Sequence, residues 1–244
     1  MNFHITPCCN EIDCRDVPAI LSAVGFPQVS TSEVSRFTSG AINATFGVRH
    51  EALDLVLKVS TRPHKFLFPN KLVVDHFAHD QRVRSKLPQV LDYDFRSRTP
   101  HEALVMRRSL GTILLHDMDS MQRNELELLF GQLLELVGQL FTFESPSGLF
   151  GDLNEDTSPR FRLASDFLLH NVESNLAFLV ERRLCYSDHI PAIRRYVEEY
   201  AQVFDASHKR PVLVHQDIQW NNVLHDGPQL CALLDFDSAM WALV

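Results

Sequence analysis

The sequence has little that would tie it to a membrane, a disulfide framework or nucleic acid. No apolar run approaches the length needed to cross a bilayer, and the first residues carry Cys and acids where a secretion signal has basic and then apolar residues. Five cysteines, at 8, 9, 14, 185 and 231, make an odd number in a chain of 244 residues, which argues against a disulfide scaffold. Cys8, Cys9 and Cys14 stand near His4, but there is no C-x-x-C pair, so they are read as thiols and not as metal ligands. Basic residues are outnumbered, 23 Lys and Arg against 31 Asp and Glu, for a formal charge of −8. That excess of acid disfavours phosphate backbones and anionic lipid surfaces as partners. It tolerates a cationic small molecule, although solubility alone would explain it. Internal repeats and low-complexity tracts are absent. The expectation is a soluble cytoplasmic protein with no nucleic-acid or membrane partner; composition is silent on oligomeric state.

What is present reads as sheet first and helices later. Asp16-Val17-Pro18 marks a helix start, with Ile20, Leu21 and Val24 behind it and Gly25 as its stop. From Val29 to Val59 the pattern is strand, a turn at Ser39-Gly40-Ala41-Ile42-Asn43, strand, turn and strand. Lys58 lies between Leu57 and Val59, and a charge among apolar neighbours is costly unless it points outward or finds a partner. Residues 71–87 read as a helix, and Pro88–Tyr93 and Ala103–Met106 as strands. Beyond them, Asn124–Phe143, Phe161–Leu184 and Ile190–Phe204 carry apolar stripes near helical period. The switch from strands to helices places a boundary at 108, giving an N-terminal lobe 1–108 and a helical lobe 109–244.

The most informative stretch is PVLVHQDIQWNNVLHDGPQLCALLDFDSA, residues 211–239. Val212-Leu213-Val214 leads into His215-Gln216-Asp217, and Asn222 follows Asp217 by five positions. A second apolar run, Leu230–Leu234, leads into Asp235-Phe236-Asp237, and Asp226-Gly227-Pro228 supplies a tight turn before it. Polar groups at the ends of such strands can converge. An H-x-D-x-x-x-x-N string with an Asp after a downstream strand is the catalytic-loop and metal-loop spacing of kinases. One carboxylate accepts the proton of an attacking hydroxyl, while an amide oxygen and a second carboxylate hold magnesium against phosphates. Each of these residues alone is also a common turn former.

LVHQDIQWNNVL followed by ALLDFD resembles the aminoglycoside phosphotransferase family, small-molecule kinases of the protein-kinase-like fold. Gln216, and Phe236-Asp237 after the metal Asp, differ from the Arg and the Phe-Gly usual in protein kinases, and seven trailing residues cannot hold an activation segment. The resemblance implies an α+β, two-lobed fold: a small antiparallel-sheet lobe, a larger mainly helical lobe, and ATP with Mg2+ in the crevice between. It implies Asp217 as the base with His215 bracing its loop, Asn222 and Asp235 on the metal, and Lys58 on the α and β phosphates. It places Gly40 and Asn43 at the nucleotide turn, Asp75 where the family has a Glu that holds the lysine, and the backbone of Met106 and Arg107 at the adenine. Gly111 matches a Gly the family has beyond that hinge. Asp152, Glu155 and Asp156 are read either as a solvated acidic loop or as facing a cationic substrate. The partner implied is a small molecule bearing a hydroxyl. Only Ser238–Val244 follow Asp237, where the family continues with further helices. A second reading therefore stays open, a truncated or catalytically silent nucleotide-binding module of the same fold.

Overall fold

The computed structural model describes residues 12–26, 29–37, 43–51, 53–61, 67–153, 160–182, 189–206 and 210–244. They form two compact units, Met1–Leu136 with Asp217–Ser238, and Val137–Gln216 with Ala239–Val244. This division differs from a cut at 108: residues 109–136 and 217–238 belong with the sheet.

The first unit is built on a five-stranded antiparallel sheet. Its strands are β1 (Val34–Arg36), β2 (Asn43–His50), β3 (Leu53–Ser60), β4 (Gln89–Phe95) and β5 (Glu102–Arg107), in the order β1-β2-β3-β5-β4. Alternation sets the faces. Phe46 and Val48 of β2, Leu55, Leu57 and Val59 of β3, and Ala103 and Val105 of β5 share a core with Val17, Ile20 and Leu21 of α1 (Val17–Ala23). The opposite face carries Thr45, Lys58 and Leu104, in register across β2, β3 and β5.

Where the sequence suggests one helix over 71–87 there are two, α2 (Phe68–His76) and α3 (Gln81–Arg84). The break has a local cause. Asp80 is extended and its carboxylate accepts from the N–H groups of Arg82 (3.0 Å) and Val83 (3.3 Å), which starts a new helix.

A second sheet in this unit joins β6 (Thr112–Ile113), β9 (Val223–Asp226) and β10 (Gln229–Leu233) in the order β10-β9-β6. Asp226 pairs with Gln229 across a two-residue turn, and Gly227 sits there at φ +52°. Gly111 enters β6 at φ +111°, and a Cβ on it would lie 2.8 Å from the His225 carbonyl, so this approach requires glycine. α4 (Leu114–Asp117) follows, and then α5 (Arg123–Leu140), of which the residues from Val137 onward belong to the second unit.

The second unit holds α6 (Ala164–Glu181), α7 (Ile190–Asp205) and the strands β7 (Gly151–Asp152), β8 (Val212–Val214) and β11 (Met240–Ala242), ordered β7-β11-β8. Asp205 at the end of α7 accepts from the Ser165 N–H at 3.0 Å and so satisfies a donor at the start of α6. Phe150, Phe167 and Met240 form its small core, and Phe143 meets Trp241 edge-on at 4.8 Å. No helix among the described residues is long and apolar enough to cross a membrane. Cys14 and Cys231 are free thiols; Cys8, Cys9 and Cys185 lie outside the described residues.

Candidate active site

Lys58 is not an outward-facing residue of an alternating strand. It is buried, 8% exposed, and its Nζ meets Asp235 Oδ1 at 2.8 Å and Asp237 Oδ2 at 2.6 Å. Burial alone would push the ammonium down, but Asp237 and Asp235 outweigh it and hold the lysine above its ordinary value, so it stays charged.

The two carboxylates arrive on one short turn. β10 delivers Leu233, and residues 236–238 form a single 3-10 turn with Phe236 wholly buried. Asp235 sits at φ +67° and Gln216, just before Asp217, at φ +65°. Left-handed backbone at residues other than glycine costs roughly 1–3 kcal/mol and clusters at functional sites.

Asp217 and Asn222 are joined through their own loop. The Asn222 amide nitrogen donates to the Asp217 carbonyl at 2.9 Å and to its Oδ2 at 3.3 Å, and Gln219 donates to Oδ1. The Leu234 N–H donates to the Asn222 carbonyl at 2.7 Å, which seats Asn222 beside the residue that precedes Asp235. The hairpin beneath is anchored on both strands. Gln132 of α5 bridges the Pro228 carbonyl (2.8 Å) and the Leu230 N–H (3.1 Å), and Leu233 donates to the Lys86 carbonyl at 2.9 Å. Asp217, Asn222, Asp235 and Lys58 therefore belong to one connected network; the spacing of the motif covers the first three, and Lys58 joins through Asp235.

Other sequence candidates fall elsewhere. Asp75 is not the partner of Lys58: it is exposed and paired with Lys71, four residues before it on the same helix. A local i,i+4 partner satisfies it, and the carboxylates that reach the lysine come from beyond β10. Met106 and Arg107 also need correction. Both lie in β5 in register with β3 on one side and β4 on the other, so they offer no open edge to a base. Arg108 still donates to the Asp54 carbonyl at 2.9 Å, and 109–111 is the first backbone to leave the sheet. Asn43 is turned inward, its amide donating to Asp237 Oδ2. Gly40, Glu155 and Asp156 lie outside the described residues, while Asp152 is exposed in β7. His215 is buried, 2% exposed, in the second unit.

Sequence reasoning missed two residues. Asp237 is visible as the second acid of Asp235-Phe236-Asp237, but it carries no role there. Asn70, in the first turn of α2, has no motif to mark it. Its Nδ2 donates to Asp237 Oδ1 at 2.7 Å and its Oδ1 accepts from the Phe236 N–H at 3.1 Å.

A divalent cation fits the donor set. Asn222 gives its amide nitrogen to Asp217, which presents its oxygen as the acceptor end, and Asp235 is the more exposed of the two lysine partners, 38% against 7%. Both are hard oxygen donors of the kind magnesium takes, few from protein and the rest from phosphate. One ammonium among the carboxylates of Asp217, Asp235 and Asp237 leaves the network acidic.

An antiparallel sheet with a buried lysine, set against a loop and hairpin bearing Asp, Asn and Asp, defines the protein-kinase-like class of fold. The profile described as the phosphotransferase enzyme family matches residues 33–244, and the chain belongs to that family. Among similar solved structures is a thermostable mutant of aminoglycoside phosphotransferase APH(4)-Ia in its apo form. It superposes with a TM-score of 0.62 at 19% identity, over 92% of this chain and 72% of that one. A further substituted form of that mutant, as a ternary complex with AMP-PNP and hygromycin B, gives 0.62 at 18%, over 93% and 73%. The streptomycin–ATP complex of APH(2'')-IIa gives 0.63 at 16%, over 96% and 74%. No curated protein matches the chain. At such identities the likeness speaks to the fold.

Proposed function

We propose that this chain transfers the γ-phosphoryl group of ATP to a hydroxyl of a small molecule, in a cytoplasmic setting. The observation that carries the reading is the connected network from Asp217 through Asn222 and the Leu234 backbone to Asp235 and Lys58. In this reading Asp217 receives the hydroxyl proton as the oxygen attacks, and Lys58 offsets charge on the phosphates. Asn222 and Asp235 would hold magnesium, which supplies charge neutralisation on the transferring group when bound. His215 braces the loop from two residues upstream. The 109–111 backbone, free of the sheet, is the segment suited to pair with adenine. The work is positioning and electrostatics, with no covalent intermediate on the protein. Similar structures bind hygromycin B or streptomycin together with AMP-PNP or ATP, which supports a polyhydroxylated, cationic substrate class.

A coupled ATPase assay over a panel of hydroxyl compounds tests this, with wild type beside Asp217→Ala. The variant is expected to lose about 10²- to 10⁴-fold in kcat with ATP binding retained. Equal turnover in both removes Asp217 from the reaction. ATP binding by the wild type with no turnover on any acceptor favours the silent module instead.

A further inference from the structure

We propose that Asp237 is the positioning residue that fixes Lys58, and that α2 acts on the site through Asn70 and not through a carboxylate. The inference rests on the phosphotransfer reading above for what Lys58 is positioned to do, but its geometry stands alone. The two partners of Lys58 differ in kind. Asp235 is partly open, with its side chain 38% exposed. Asp237 is enclosed, 7% exposed, and both its oxygens are held: Oδ2 by Lys58 and by Asn43 of β2, Oδ1 by Asn70 of α2 at 2.7 Å. A carboxylate so committed cannot turn to a cation without abandoning three donors, whereas Asp235 can exchange Lys58 for a cation. Lys58 then keeps Asp237. The geometry thus divides the two acids, Asp235 for the metal and Asp237 for the lysine.

The brace behind Asp237 is itself fixed. Asn70 holds the turn at two points, the Asp237 carboxylate and the Phe236 N–H. The start of α2 is in turn held by Glu102 of β5, whose Oε1 accepts from the N–H groups of Leu67 (2.5 Å) and Phe68 (3.1 Å). Asp75, one turn further along α2, faces solvent with Lys71.

The test labels the full-length protein with an amine-acylating reagent and follows Lys58 by mass spectrometry, with an added lysine-containing peptide as the internal reference. Wild type and Asp75→Ala should leave Lys58 equally protected, and Asp237→Asn should label it about tenfold faster. Unchanged labelling in a folded Asp237→Asn protein overturns the proposal, and so does faster labelling in Asp75→Ala alone. If Asp237→Asn does not fold, Asn70→Ala takes its place, with the same expected gain and the same overturning result. Kinetics give a second readout. Asp237→Asn should raise KM for ATP about 10- to 100-fold, more than it lowers kcat, as expected for a residue that supports a ligand-binding group. A merely structural defect would lower the active fraction and leave KM unchanged. Should wild type bind no MgADP at all, the phosphotransfer reading fails, and the labelling still decides the place of Asp237.

Discussion

At Lys58 a cation lies inside an apolar strand, and its burial is tolerable only because two acids meet it. Removing one partner of such a buried pair leaves an uncompensated charge. Lys58→Met should therefore destabilise the protein by about 3–5 kcal/mol in urea unfolding at neutral pH. Adding Asp237→Asn should recover part of that loss, because the orphaned acid is then gone. Asp94 gives a pH signature elsewhere in the unit. Burial pulls its carboxyl up, but hydrogen bonds from Ser97, Arg98 and Thr99 outweigh this and hold it well below its ordinary 3.8. A depressed acid contributes stability that is full above its unfolded value and is lost as pH falls toward the folded one. Asp94→Asn should cost about 2 kcal/mol near neutrality, with the gap closing as pH is lowered below about 4. Urea curves at several pH values check this. The Asp217–Asn222 spacing was legible because it lies within one loop. The lysine's true partners were not, since Asp235 is 177 positions from Lys58 and Asp237 lies two residues further on; Asn70, which braces Asp237, carries no charge to attract notice. Asp75 had the right chemistry on the right helix and a nearer claimant in Lys71.

Among the elements, the β9–β10 hairpin depends on Gly227. A side chain at its φ of +52° meets the left-handed penalty, so Gly227→Val should destabilise by about 1–2 kcal/mol, read as a lowered urea midpoint. The Asp-Gly-Pro signal made this turn readable from sequence. The partner of β8 was not readable: Val212–Val214 pairs with β11, a three-residue strand without periodicity of its own. The break between α2 and α3 was likewise hidden, because the apolar positions continue past it and only the cap at Asp80 ends one helix and begins another. At the end of β5 the strand continues a residue or two beyond where the apolar run suggested, so the first backbone clear of the sheet is 109–111 and not 106–107.

For the whole molecule, the sheet, the lysine and residues 217–238 fall in one compact unit, so a ligand at this site should report on the stability of that unit. MgADP at about 100 times its Kd should add about 2.7 kcal/mol, seen as a raised Tm that EDTA reverses. Lys58→Met should show no such rise. The broad class of fold was legible because strands precede helices and the motif closes the chain. The grouping of residues 109–136 with the sheet was not, since it depends on which long-range packing follows once the strands are paired.

Three acids and a single ammonium in one network leave the resting protein short of positive charge where, on the proposed reading, a polyphosphate settles. On that reading a triphosphate arriving bare would meet repulsion from the carboxylates as well as the pull of Lys58. Partial neutralisation has to accompany it, which favours entry as a metal complex over sequential loading, and it makes inorganic anions poor occupants of this site on their own.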